Sequence, residues 1–232
     1  MCFSMTADVV MGTALIPVAV ATLREVRHWR ELPFALLPTI FAFHQLIEAL
    51  VWPNGVVPAG LAQVAMYAYI FIALPLLPAW VPPAVLMLEP RGARLRIAPF
   101  VVLGAVVSAY LAVVVLTRPV GMARCAHALE YHTEVSHPYV WAALYIIAVI
   151  GPTLLSGYRS IVVFGLANLV GLIAVAALYF RAFASLWCAY AAMLSFLVLV
   201  HMRRRRRLPD PHRYEGVPMD EAAAVEIEAN AK

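Results

Sequence analysis

The chain has 232 residues, 64% of them hydrophobic and only 13% charged, where an ordinary soluble domain carries about 25% charged residues. A soluble core of this length cannot hide so much apolar surface, so composition excludes a water-soluble globular enzyme and makes lipid the expected solvent. The net charge of +4 is no nucleic-acid signal, because its arginines sit at the ends of apolar runs and Lys232 is the sole lysine.

A bilayer core of about 30 Å needs roughly 20 apolar residues in a helix. Seven such stretches follow one another: Thr6 to Leu23, Phe34 to Trp52, Leu61 to Leu88, Ile97 to Thr117, Tyr139 to Ser156, Ile161 to Phe180 and Ala184 to His201. The third carries Pro75, Pro78, Pro82 and Pro83, which predicts a kinked or broken inner half. Gly157-Tyr158-Arg159-Ser160 predicts a tight hairpin between the fifth and sixth helices, and Arg181 marks the turn between the sixth and seventh. The expected class is all-α, a seven-helix membrane domain over residues 1–207, followed by a polar, disordered tail over 208–232.

Arginine positions set the orientation. Arg24, Arg27, Arg30, Arg91, Arg94, Arg96, Arg159 and the run Arg203 to Arg207 fall on one side, twelve in all. Arg118, Arg124 and Arg181 fall on the other, three in all. The richer side is cytoplasmic, so the N-terminus is expected outside and the tail inside. No arginine precedes the first helix, so that helix is expected to remain in the membrane. The Arg203–Arg207 run reads as a topology signal and as an anchor for anionic lipids.

Ionisable groups within lipid are costly and mark candidate sites. Here they are scarce. Glu48 and His44 lie inside the second helix four residues apart, so one face presents both, with Gln45 beside them. That stripe lies in the outer half of the helix. The loop between the fourth and fifth helices adds His127, Glu130, His132, Glu134 and His137 within eleven residues. The N-terminal head brings Cys2, Ser4 and Asp8 to the same side, and the seventh helix brings Trp187 and Cys188. Trp52 closes the second helix at the level where interfacial aromatic residues belong.

Three readings of this cluster stay open. His44, Glu48, His127 and His132 have the chemistry to hold a divalent metal, zinc or copper, in a membrane hydrolase or oxidoreductase. Alternatively, Glu48 titrates beside His44 and Gln45 in a pocket for an ion or small molecule, as in a transporter or sensor. In the third reading the polar stripe only fixes the bundle. The absence of lysine from every helix excludes a retinal Schiff base. His44 and His201 lie at opposite depths and cannot clamp a haem together. There is no phosphate-binding loop or dinucleotide fingerprint, and oligomeric state is not legible. Cys2 and Cys125 are the pair an outer disulfide would use. Ceramidase-type seven-helix hydrolases offer only an analogy, because the seventh helix here lacks their His-x-x-x-His pair.

The segments Met1-Cys2-Phe3-Ser4, Leu46-Ile47-Glu48-Ala49-Leu50-Val51-Trp52, Ser185-Leu186-Trp187-Cys188 and Leu208-Pro209-Asp210-Pro211-His212-Arg213 resemble a bacterial family of seven-helix membrane proteins, frequent in actinomycetes, whose function is unknown. The resemblance spans about residues 1 to 213. It implies a bacterial plasma-membrane location, and its recurring elements would be Cys2, Phe3, Ser4, Gln45, Glu48, Trp52, Trp187 and Cys188. It implies no reaction.

Overall fold

The computed structural model describes residues 4–52, 57–89, 91–124, 129–178 and 183–207. It is mostly helical. Helix α1 is Met5–Arg24. Helix α2, Trp29–Val51, opens with a 3-10 turn at Trp29–Glu31 and straightens into Leu37–Val51. Helix α3 is Ala59–Leu88 and α4 is Arg94–Thr117. Strands β1, Val120–Arg124, and β2, Leu129–Thr133, form an antiparallel hairpin. Helix α5 is Pro138–Leu154 and α6 is Arg159–Leu178. Helix α7 runs through Phe183–Leu194 and Phe196–Arg206 with a slight break at Ser195.

Six of these helices are long and apolar enough to cross a membrane; α5 is apolar but has 17 residues. The distribution of polarity is compatible with a multi-pass membrane protein. Val102, Leu116, Val170 and Ile173 point outward and are more than half exposed. Asp8, Glu31, His44, Gln45, Glu48, Asn168, His201 and Arg205 point inward and are buried. A water-soluble bundle would reverse that arrangement.

Of the four prolines, Pro75 interrupts α3 at its middle, and the helix then runs on through Pro78, Pro82 and Pro83 to Leu88 rather than breaking over its whole second half. Pro75 cannot donate to the carbonyl four residues back, and the helix answers with a π turn at Ile72–Leu76. Carbonyls of this stretch take side-chain partners from neighbouring helices: Tyr145 Oη donates to Ala73 O at 2.6 Å, and His44 Nε2 lies 3.2 Å from Tyr69 O. Pro82 likewise has no N–H for the carbonyl of Pro78. Gly104 of α4 packs directly on that carbonyl, where any Cβ would overlap it. Gly165 against Thr153 and Gly171 against Tyr190 are further close approaches, in line with a packing role for small residues.

Two features depart from the sequence reading. The segment between α4 and α5, expected as a loop in an all-α chain, contains the hairpin. Its alternation is visible in hindsight: Leu129, Tyr131 and Thr133 share one face and Glu130 and His132 the other, with Leu129 buried and His132 exposed. Helix α7 also continues beyond His201 through the arginine run. That run is not a uniform lipid-facing patch. Arg205 turns inward to Glu31 at 3.0 Å, and Arg203 and Arg206 lie 3.8 and 2.6 Å from Glu25. Arg204 and Arg207 remain exposed. The expected tail, residues 208–232, lies outside the described residues.

Candidate functional site

The candidate site lies at the end of the bundle where α1 and α7 begin and α2 ends, beneath the hairpin. It is built from the α2 stripe that the sequence marks. His44, Gln45 and Glu48 are each at most 1% exposed, so the helical spacing does bring the three to one interior face. Helix α1 packs along α2 and adds Asp8 from its first turn. Ser4 caps that helix, its hydroxyl accepting from Ala7 N at 3.3 Å. Its role is to start α1 correctly, and Asp8 is the α1 residue that reaches the site. Trp52, one turn beyond Glu48, donates from Nε1 to Asp8 Oδ2 at 2.6 Å.

An aromatic column stands on the other side of Glu48. The ring of His44 stacks on Tyr69 at 4.0 Å, and Tyr69 stacks on Tyr131 of β2 at 4.7 Å. A carbonyl oxygen only accepts, so His44 Nε2 donates to Tyr69 O and the imidazole is locked in place. The Tyr131 hydroxyl is 3.4 Å from Glu48 Oε1. The Ser185 hydroxyl of α7 also stands near the Glu48 carboxyl, whereas Tyr69 Oη and Glu48 Oε2 are buried without a hydrogen-bond partner among the described residues. Burial, together with the charges of Glu48 and Asp8, pushes the Tyr131 hydroxyl well above its ordinary range, so it remains a proton donor. His44 Nδ1 and both amide atoms of Gln45 are buried without a hydrogen-bond partner among the described residues. Buried polar atoms of that kind are rare in native proteins and are where ions, waters and ligands are held.

Beside this cluster is a cavity of about 240 Å³. Tyr131, Thr133, Trp141, Tyr145, Trp187 and Cys188 line it, together with aliphatic residues of α3, α4 and α5. Trp187 and Cys188 also border a second cavity of about 30 Å³ deeper in the bundle, which reaches Thr153 and Asn168. That volume holds about one water molecule.

Of the four metal ligands expected from sequence, His44, Glu48 and His132 lie among the described residues and His127 does not. His132 is on the outward face of β2, 57% exposed, with its Nε2 3.7 Å from Glu130. Strand alternation thus sends His132 and Glu130 away from the face whose Tyr131 meets Glu48. Cys2, Cys125 and His127 lie outside the described residues. Among the described residues no three His, Cys, Asp or Glu side chains converge as a metal centre requires. Cys188 is a buried free thiol. Sequence reasoning did not select Tyr69, Tyr131 and Ser185. Tyr69 and Ser185 sit in apolar helices, and Tyr131 needs the strand alternation to be recognised.

A second polar network occupies the opposite end of the bundle. Ser160 Oγ is 2.7 Å from His201 Nδ1, and the Arg205 guanidinium lies 5.1 Å from the Tyr158 ring centre. Glu89, just past the end of α3, accepts from the Ser156 hydroxyl and, at 3.0 Å, from Gly157 N–H. Burial raises the Glu89 pKa, opposed by those two donors and by the charges of Arg96 and Arg205.

Residues 1–213 match the model of a family of unknown function (DUF6629). No curated protein and no solved structure matches the chain.

Proposed function

The chain belongs to this family of unknown function, and we propose that it is a seven-span protein of a bacterial plasma membrane, N-terminus outside, that binds a positively charged ion or small molecule at an outward-facing polar site centred on Glu48. The observation that carries this reading is a pair of acids. Asp8 and Glu48 are 2% and 0% exposed and close enough for each to feel the other's charge. Among the described residues neither forms an ion pair with an arginine, lysine or histidine. Burying one bare carboxylate costs several kcal/mol, and two side by side cost more. The hydroxyls of Tyr131 and Ser185 offset part of that cost but supply no positive charge. A proton, or a cation exchanging with it, supplies the rest.

The orientation rests on the arginine bias, and the location on the outward apolar faces and the arginine-rich, lysine-poor composition. Within the two modes of action considered from sequence, the features beside the site favour transport over sensing. The π-broken stretch of α3 borders the outer cavity through Ala73 and Leu74, and broken helices are how membrane transporters build ion sites. The deeper cavity continues inward past Trp187. At the inner end, exposed Arg204 and Arg207 remain available to anionic lipid headgroups.

The test is thermal unfolding of the purified protein in nanodiscs against a panel of monovalent, divalent and organic cations at several pH values. The expected result is saturable stabilisation by at least one cation, competed by protons and lost in Glu48→Gln. Stabilisation that is identical in wild type and Glu48→Gln would remove Glu48 from the site.

A further inference from the structure

We propose that the cation bound at this site is organic: a substituted ammonium whose apolar groups fill the cavity under the hairpin and whose nitrogen faces Tyr131 and Cys188, in front of Glu48. This deepens the reading above and rests on it. The cavity has the wrong wall for an inorganic ion. Calcium or magnesium requires several converging oxygens, and this lining is almost wholly apolar.

What the lining offers instead is aromatic rings held rigidly. Tyr110 stacks on Trp141 at 3.7 Å and 6°, and its hydroxyl donates to Ser136 O at 3.3 Å, so the Trp141 ring is pinned as a wall. The Tyr145 hydroxyl is committed to Ala73 O, which fixes that ring, and Trp187 meets it edge to face at 6.0 Å. Tyr131 is fixed by its stack on Tyr69. Four aromatic rings around one space attract a weakly hydrated cation through their negative faces, the basis of ammonium recognition in aromatic cages.

Charge complementarity comes from behind the wall. Tyr131 lines the cavity and borders Glu48 by its 3.4 Å hydroxyl contact, and Cys188 lines the same space. The buried Thr133 hydroxyl oxygen, which has no hydrogen-bond partner among the described residues, lines the same space and can face the positively charged methyl groups of a quaternary ammonium. Size sets the substituents. A 150 Å³ cavity holds benzene, so 240 Å³ holds about ten non-hydrogen atoms by proportion.

The probe is hexyltrimethylammonium, with hexanol as the neutral comparison and sodium and potassium chloride as inorganic cations. Binding to the full chain in nanodiscs is followed by tryptophan fluorescence and by calorimetry. The expected result is saturable binding of the ammonium, with hexanol far weaker. Glu48→Gln and Trp141→Leu should each weaken it by about tenfold or more, and Glu48→Asp should recover part of the loss. Elution volume and helical circular dichroism report whether each variant is folded. Trp187→Leu serves as the second cage variant if Trp141→Leu is not. Equal binding of hexanol overturns the inference, because the cavity is then merely apolar. Failure of the ammonium to bind, while inorganic cations or protons still act through Glu48, overturns the inference and leaves the cation reading standing. If no cation and no proton acts through Glu48, both fall.

Discussion

Replacing Arg205 by methionine isolates the energetics of the inner end. Glu31 is 0% and Arg205 3% exposed, with Nε to Oε1 at 3.0 Å. The other Glu31 oxygen accepts from Arg27 N at 2.9 Å and His28 N at 3.4 Å. The acid is therefore held by the turn between α1 and α2, while its counter-charge arrives from α7, 174 residues away in sequence. Arg205→Met removes the counter-charge that reaches the buried Glu31 carboxylate from α7. Breaking a pair of this kind costs about 3–5 kcal/mol, and the surviving backbone bonds place the loss near the lower figure. For a chain of this size that is a fall of about 6–12 °C in unfolding midpoint. Glu31→Gln/Arg205→Met keeps an acceptor for the turn and removes both charges, so it should cost about 1–2 kcal/mol. The assay is thermal unfolding of the four proteins of this cycle in one detergent. A midpoint drop below about 2 °C for Arg205→Met, or single-variant losses that merely add, would refute the reasoning, because exposed pairs behave that way.

Other expectations follow from the same geometry. Gly104→Val forces a side chain onto the Pro78 carbonyl and should cost at least about 2 kcal/mol in the same unfolding assay, whereas Gly60→Val, in open space, should cost far less. Burial raises the folded-state pKa of Glu89, so its protonated form is favoured by folding. Its contribution is fully present below the ordinary carboxylate range near 4.5 and is lost as pH rises through the raised value. The fall in unfolding midpoint over that window should be shallower in Glu89→Gln. Arg204→Gln/Arg207→Gln should leave the midpoint unchanged and weaken co-sedimentation of the detergent-solubilised protein with phosphatidylglycerol vesicles.

The parts of the fold set by composition and period were legible in sequence. The apolar stretches fall where the helices lie, to within a few residues at most ends. Pro75 announced the break in α3, and the i, i+4 spacing of His44 and Glu48 announced one buried polar face. What escaped depends on tertiary pairing. Asp8 was visible as an acid near the start of α1, but only the packing of α1 on α2 brings it to Trp52 and Glu48. The histidines of the segment after α4 drew attention as ligands and masked a two-residue alternation that sends Tyr131 inward and His132 out. Arg205 is indistinguishable from Arg204 and Arg206 until helical rotation turns it toward Glu31. In each case the chemistry of the residue was readable and its direction was not, because direction comes from partners distant in the chain.

The most direct test of the central claim is infrared difference spectroscopy of the nanodisc-embedded protein, recorded on adding a cation that stabilises it. If Asp8 and Glu48 share a positive charge that a proton or a cation supplies, cation addition replaces a carboxylic-acid carbonyl band by carboxylate bands, and Glu48→Gln abolishes the change. A wild-type spectrum with no carboxyl change under saturating cation, or one unaltered by Glu48→Gln, contradicts the account.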